Sequence, residues 1–175
     1  MLKVKDKEFE PYLSEEQLDV RVKALGRALS EDYDGKHPLV LGILNGAFMF
    51  LSDLMKEMSV PLEVSFIKIA SYEAMQSTGN VRELVGLKEE VGNRHIIIVE
   101  DIVDTGRSME YLIELLKEKS PASISVVSLL LKPEALATDV EVDYVGFEIP
   151  NKFVVGYGLD YDGYGRNLRE IYQLT

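Results

Sequence analysis

The fifteen residues His95 to Met109, His-Ile-Ile-Ile-Val-Glu-Asp-Ile-Val-Asp-Thr-Gly-Arg-Ser-Met, narrow the possible folds more than any other part of this chain. The apolar run Ile96 to Val99 reads as a buried strand. It ends on two adjacent acids, Glu100 and Asp101. A small polar loop follows, Asp104-Thr105-Gly106-Arg107-Ser108, and then a helix whose apolar face is Met109, Leu112, Ile113 and Leu116. Amides at a helix N-terminus attract phosphate, Gly106 lets the backbone come close, and Thr105 and Ser108 add hydroxyl donors. The acids can hold sugar hydroxyls, or Mg²⁺ directly or through water. Together these residues read as a site for a sugar phosphate and its metal. The bland alternative is an ordinary strand, turn and helix with acids at the strand end.

The rest of the chain repeats that rhythm. Ser14-Glu15-Glu16-Gln17 is a capping-box pattern, and Leu18, Val22, Leu25 and Leu29 follow at helical spacing, predicting a helix over 15–30. A strand is expected over Leu39 to Leu44, broken by Asn45-Gly46-Ala47, then a helix over Phe48 to Met58. Strands are expected over Leu62 to Ala70, Val81 to Leu87, Ser123 to Leu131, Tyr144 to Ile149 and Phe153 to Tyr157, with Glu170 to Leu174 as a last edge strand. Pro133 suits the first turn of a short helix. The polar run Ser71 to Asn80 reads as a mobile loop. Strands alternating with helices specify an α/β fold with a mostly parallel sheet covered on both faces. Ligands of such sheets bind beyond the carboxyl ends of the strands. The loops at 45, at 101–108 and at 132 each follow a core strand, so they meet at one edge. His37 and His95 fall at strand starts, away from that edge, and read as structural.

At 175 residues with 46% hydrophobic residues, the chain is expected to be one domain spanning 1–175. A net charge of −11 argues against a nucleic-acid footprint, which needs a basic face. It leaves phosphorylated substrates open, because Mg²⁺ bridges acids to a pyrophosphate. With no cysteine there is no disulfide, thiolate metal site or cysteine nucleophile, which fits the cytoplasm. The N-terminal segment has no signal-peptide core, and no apolar run reaches the ~20 residues of a membrane span.

Leu44-Asn45-Gly46, Ser71-Tyr72, Glu100 to Ser108, Lys132, Val145-Gly146-Phe147-Glu148-Ile149-Pro150, Phe153-Val154-Val155-Gly156-Tyr157 and Leu159-Asp160-Tyr161 occur in one order. In this order they resemble the type I phosphoribosyltransferases, and among these the hypoxanthine-guanine phosphoribosyltransferases of the short bacterial kind. The similarity covers about residues 10–175. It implies the type I phosphoribosyltransferase fold, with a small hood built from the N- and C-terminal segments. The implied function is purine salvage: phosphoribosyl pyrophosphate and hypoxanthine or guanine give IMP or GMP and pyrophosphate, with Mg²⁺, in a homodimer or homotetramer.

The resemblance also distributes roles. Asp104 matches the catalytic acid/base near the purine N7; its other reading is a loop carboxylate that caps backbone amides. Glu100 and Asp101 match the pair that holds the ribose hydroxyls and approaches Mg²⁺, and Asp160 matches a second Mg²⁺-site acid. Adjacent strand residues face opposite ways, so Glu100 and Asp101 converge only where the strand is ending. Thr105, Gly106, Arg107 and Ser108 match the 5′-phosphate loop, with the Arg107 side chain either on phosphate or in solvent. Lys132 matches the donor to the purine 6-oxygen, against the plainer reading of a solvated strand end. Phe153 matches the ring that stacks on the purine, against core packing, and Val154 the backbone at the purine edge. Arg166 matches a pyrophosphate contact. Ser71-Tyr72 and the polar run after them match a closing lid. Asn45 stands where the family pattern often has a basic residue, so the loop Asn45-Gly46 is expected to hold pyrophosphate through backbone amides and an amide side chain. Rival readings are a xanthine-preferring enzyme, decided around Val154 and Leu159, a regulatory RNA-binding protein of the same fold, and a non-catalytic nucleotide-binding domain.

Overall fold

The structure is a computed structural model that describes residues 1–72 and 81–175, with the backbone alone at 70–72 and 81–85. Its main sheet is built around three strands, β3 (Leu39–Ile43), β6 (His95–Val103) and β7 (Ser123–Leu131). On one side β3 is flanked by β4 (Glu63–Tyr72) and β5 (Val81–Val85), and on the other β7 is flanked by β8 (Tyr144–Glu148). The strand order is β5-β4-β3-β6-β7-β8, and every pairing is parallel except that of β5.

Side chains of a strand alternate between faces, and here both faces are dry. Val40, Ile97, Val99 and Val127 point towards α1 (Glu15–Asp32) and α2 (Phe48–Glu57). Leu39, Leu41, Ile96, Ile98 and Val126 point towards α3 (Arg107–Lys117). Burying such a side chain fully contributes about 1.5–3 kcal/mol, which is why these strands are continuous apolar runs. α1 starts at Ser14 with the expected capping box. α2 lies close to β3 because Gly42 faces it: a Cβ there would come within 2.5 Å of Leu51 Cδ2.

A second, smaller sheet joins the two ends of the chain. It contains β1 (Leu2–Val4), β2 (Lys7–Leu13), β9 (Val154–Val155) and β10 (Ile171–Leu174), in the order β1-β2-β10-β9, all antiparallel. β10 is therefore interior to this sheet and not the edge strand expected from its sequence, because β2, which the sequence reading did not assign, pairs with it. The strand expected over Phe153 to Tyr157 shortens to Val154–Val155, since Gly156 and Tyr157 turn away with positive φ. Phe9 is fully buried under this sheet, its ring 6.4 Å from those of Phe153 and Tyr161.

Two boundaries near the candidate site also differ from expectation. β6 continues past the acids to Val103 because β7 keeps pairing with it, up to Val103 opposite Leu131. Ser71 and Tyr72 belong to β4, opposite Arg82 and Val81, where a loop was expected. The rest of the expected lid, 73–80, and the side chains of Ser71 and Tyr72 lie outside the described residues. Among the described residues no helix is long and apolar enough to cross a membrane.

Candidate active site

β3, β6 and β7 are neighbours and run the same way, so the loops that follow them open at one edge of the sheet. After β3 the Leu44–Asn45 peptide is cis; Asn45 is exposed and Gly46 buried. A Cβ on Gly46 would lie 1.7 Å from Asp101 Oδ2, and one on Gly158 would lie 2.1 Å from the Gly46 carbonyl oxygen. Gly46 is thus held between the Asp101 carboxylate and the main chain of the C-terminal segment. The two residues of this loop should respond very differently to substitution. With the loop taken, as the resemblance implies, to hold pyrophosphate, Asn45→Ala should weaken that binding only by about one neutral hydrogen bond, roughly 0.5–1.5 kcal/mol. Gly46→Val should remove it, because the side chain displaces Asp101. Titration of both variants with pyrophosphate checks this; loss on Asn45→Ala with tolerance of Gly46→Val would mean a loop that works through its side chain.

Glu100 and Asp101 sit where β6 has outrun β3, whose pairing stops at Val99 opposite Gly42. There the two carboxyls interact with each other. The Asp101 amide donates to Glu100 Oε1 at 3.1 Å, and the Ile102 amide donates to Asp101 Oδ1 at 2.8 Å. Burial, then the neighbouring Asp101, pushes the Glu100 carboxyl well above its ordinary range. Asp101 is also raised, chiefly by burial. Two crowded carboxylates with an oxygen-only donor set fit a hard divalent cation, which would relieve their repulsion. Among the described residues no three acids or histidines converge on one point, so most of such an ion's shell would come from water and ligand oxygens. Asp160 lies across the site with Oδ1 2.7 Å from Arg166 Nη2 and Oδ2 accepting from the Gly163 amide at 2.6 Å.

These raised values have a sign. A carboxyl whose folded pKa lies above its unfolded value adds stability while protonated and loses it as pH rises through the folded value. Without a divalent ion, thermal stability should fall as pH climbs upward from the ordinary glutamate value of 4.5. Glu100→Gln should flatten that slope and raise the melting temperature at neutral pH. Melting curves across pH, with and without Mg²⁺, read both effects; an unchanged slope in the variant would remove Glu100 as its source.

The loop after β6 leads into α3. Gly106 caps the helix with φ +80°, and a Cβ there would strike Thr138 Oγ1 at 2.4 Å and Val140 Cγ1 at 2.9 Å. The segment after β7 therefore presses on this loop, and the Ala137 amide donates to the Thr105 carbonyl at 3.0 Å. Thr105, Arg107 and Ser108 are exposed at the helix start. A cavity of about 180 Å³ runs from Glu100 and Asp101 along Asp104, Thr105, Gly106 and Ser108.

A second cavity of about 250 Å³ adjoins it, sharing Asp101, Ile102 and Asp104 and adding Lys132, Phe153, Val154, Leu159 and Asp160. Lys132 follows β7 and is only 6% exposed, so it is not the solvated strand end its sequence position alone suggests. Its Nζ donates to Asp104 Oδ2 at 3.1 Å. Phe153 is 43% exposed beside the fully buried Phe9, its ring meeting Tyr161 edge-on with Lys7 Nζ 5.7 Å from its centroid. Arg166 is turned into the protein: Nη1 donates to the Gly158 carbonyl at 2.7 Å while Nη2 pairs with Asp160.

Of the residues expected from sequence, Glu100, Asp101, Asp104, Thr105, Gly106, Ser108, Lys132, Phe153, Val154 and Asp160 line the two adjoining cavities. Gly46 abuts Asp101 and Arg166 pairs with Asp160, Asn45 and Arg107 line neither cavity, and the side chains of Ser71 and Tyr72 lie outside the described residues. Three contributors were missed. Ile102 lines both cavities; an isoleucine in an apolar strand gives no signal. Gly158 backs the Gly46 loop; the Gly156-Tyr157-Gly158 pattern could have marked a special turn. Thr138 supports Gly106 and has no sequence signature at all.

The family model for the phosphoribosyl transferase domain matches residues 12–162. The bifunctional protein TilS/HprT of Listeria monocytogenes is 43% identical over 157 residues, 89% of this chain, but the chain spans only about a quarter (24%) of that protein. The hypoxanthine-guanine phosphoribosyltransferase of Lactococcus lactis is 46% identical over 165 residues, 93% of this chain and 90% of that one. A crystal structure of a hypoxanthine phosphoribosyltransferase from Staphylococcus aureus superposes with a TM-score of 0.86 at 40% identity, covering 97% of this chain and 92% of its own. With the order of its strands, its loop chemistry and these relatives in agreement, the chain belongs to the phosphoribosyltransferase family, among the hypoxanthine-guanine phosphoribosyltransferases.

Proposed function

We propose that this protein performs purine salvage, joining hypoxanthine or guanine to the phosphoribosyl group of phosphoribosyl pyrophosphate, as the names of its relatives describe. The observation that carries the reading is the Asp104–Lys132 pair. It stands at the junction of the two cavities, one lined by the phosphate loop and the other by Phe153, Val154 and Leu159. The N7 and 6-oxygen of a 6-oxopurine are neighbours on one edge of the ring. A carboxylate beside an ammonium matches that edge: the ammonium donates to the oxygen, and the carboxylate takes the proton that the ring sheds.

In the reaction a purine nitrogen forms a bond to the anomeric carbon while the bond from that carbon to pyrophosphate breaks. The transition state has oxocarbenium character, so the anionic side chains Glu100, Asp101 and Asp104 favour it. Thr105, Gly106, Arg107 and Ser108 hold the 5′-phosphate at the start of α3. Asn45 and Gly46, with Arg166, receive the pyrophosphate. Glu100 and Asp101, with Asp160 opposite, take the ribose hydroxyls and Mg²⁺, which when bound neutralises the leaving group. Val154 offers its backbone to the purine edge, Phe153 stacks on the ring, and Ser71 and Tyr72 belong to a cover that excludes water. Family membership further supports a cytoplasmic homodimer or homotetramer, and the small sheet of β1, β2, β9 and β10 supports reading these segments as the hood.

The test is pyrophosphate release with hypoxanthine, guanine, xanthine and adenine in turn, with and without Mg²⁺. Turnover of the 6-oxopurines that stops on chelation is expected. No release with any base, or full activity after chelation, would overturn the reading or its metal.

A further inference from the structure

Eight residues, Phe153 to Asp160, pass from the base cavity to the pyrophosphate loop and back. Phe153 and Val154 line the base cavity, Gly158 packs on the Gly46 carbonyl, and Leu159 and Asp160 return to the cavity. Between them stands Tyr157. It is 6% exposed and has a φ of +50°, unfavourable for a bulky side chain. Such a conformation persists only where the surroundings over-determine it. Here Gly156 (φ +105°) and Gly158 (φ +101°) flank it. Its amide donates to the Leu168 carbonyl at 2.8 Å, and that of Gly158 donates to the Arg166 carbonyl at 3.0 Å.

This backbone sends the Tyr157 side chain away from the cavity, into the core beneath α1 and α2. There its hydroxyl donates to Asp53 Oδ2 at 2.6 Å. Asp53 belongs to α2, the helix that begins directly after Asn45-Gly46-Ala47. One hydrogen bond thus ties the strand that walls the base cavity to the helix that carries the pyrophosphate loop. A hydroxyl that served packing alone would need no carboxylate partner, and a phenylalanine would fill the same space.

We infer that Tyr157 is a positioning residue for the leaving group: its bond to Asp53 fixes the separation of the Gly158 turn from the Gly46 loop, and so the place where pyrophosphate lies. The inference rests on the proposed function above, which assigns the Asn45-Gly46 loop to pyrophosphate. Neither Tyr157 nor Asp53 lines the base cavity, so cutting the bond should separate the two ligands. A purely structural tyrosine would lower stability and leave both affinities alone.

The experiment uses the full chain and inorganic pyrophosphate with Mg²⁺ as probe, measured by calorimetry, with steady-state KM for guanine beside it. Tyr157→Phe should weaken pyrophosphate binding roughly tenfold, the scale of losing one hydrogen bond to a charged acceptor, with guanine KM within about twofold. Asp53→Ala cuts the same bond from the helix side and should copy it, the double variant being no worse than either. It also serves if Tyr157→Phe does not fold. Asp53→Asn keeps an acceptor for the hydroxyl and should restore wild-type affinity, since its lost pairing with Lys56 is a solvent-facing one. Unchanged pyrophosphate affinity in Tyr157→Phe or Asp53→Ala, or equal losses for both ligands, overturns the latch while wild-type turnover leaves the function standing. A wild-type protein that neither binds nor releases pyrophosphate overturns the function, and the latch with it.

Discussion

Asp104→Asn lowers the rate of nucleotide formation by about 10²–10⁴-fold, the usual cost of losing a positioned general acid or base. The variant keeps its fold, because Asp104 is nearly half exposed and an asparagine oxygen still accepts from Lys132 Nζ, 3.1 Å from the present carboxylate. What it loses is the ability to take a proton from the purine. Single-turnover rates, with the binding of guanine and of phosphoribosyl pyrophosphate measured separately, isolate that loss. A rate within a few-fold of the wild type would return Asp104 to the plainer reading of a loop carboxylate that caps amides.

Selection against adenine should be of similar or greater size. Lys132 is 6% exposed and an ammonium has only donors to offer. A 6-oxygen accepts from it, whereas a 6-amino group presents hydrogens to hydrogens and leaves the buried charge without a partner from the ligand. Mismatches of that kind discriminate by ~10⁴ or more, so wild-type protein should use guanine and hypoxanthine and leave adenine untouched. Lys132→Ala should lose 6-oxopurine binding far more than phosphoribosyl pyrophosphate binding. The Asp104 carboxylate would then be left without its cation, so the comparison is made on affinities and not on turnover. Equal losses for the two ligands would mean that Lys132 acts elsewhere.

The parallel core was legible because Leu39 to Ile43, Ile96 to Val99 and Ser123 to Leu131 are each too apolar to lie anywhere but between two helical layers. The site was legible because polar residues that contradict their surroundings, such as Glu100 and Asp101 after four apolar residues, need a reason. Where β6 ends was not legible: its continuation to Val103 depends on β7, an interaction between residues nearly thirty positions apart. β2 was missed because Lys-Glu-Phe-Glu-Pro-Tyr-Leu alternates weakly, and its strand partners are the short β1 on one side and the distant β10 on the other. Phe153 illustrates the remaining limit. A phenylalanine in an apolar run is usually core, yet beside the fully buried Phe9 this ring stays 43% exposed.

The interweaving of the chain's two ends imposes an order of events on a growing polypeptide. The large sheet draws on residues 39–148, so the phosphate loop and its acids can be in place while the last segment is still being made. Val154 and Val155 pair with nothing until Gln173 and Tyr172 reach them, and β10 in turn needs β2, with Gln173 opposite Glu10. The cavity wall at Val154 is therefore the last part of the site to form, and it closes a loop of more than 150 residues when it does. Contacts so far apart in sequence are the slow ones in folding. A growing chain would complete the loop before α3 well ahead of the cavity wall at Val154 and Val155.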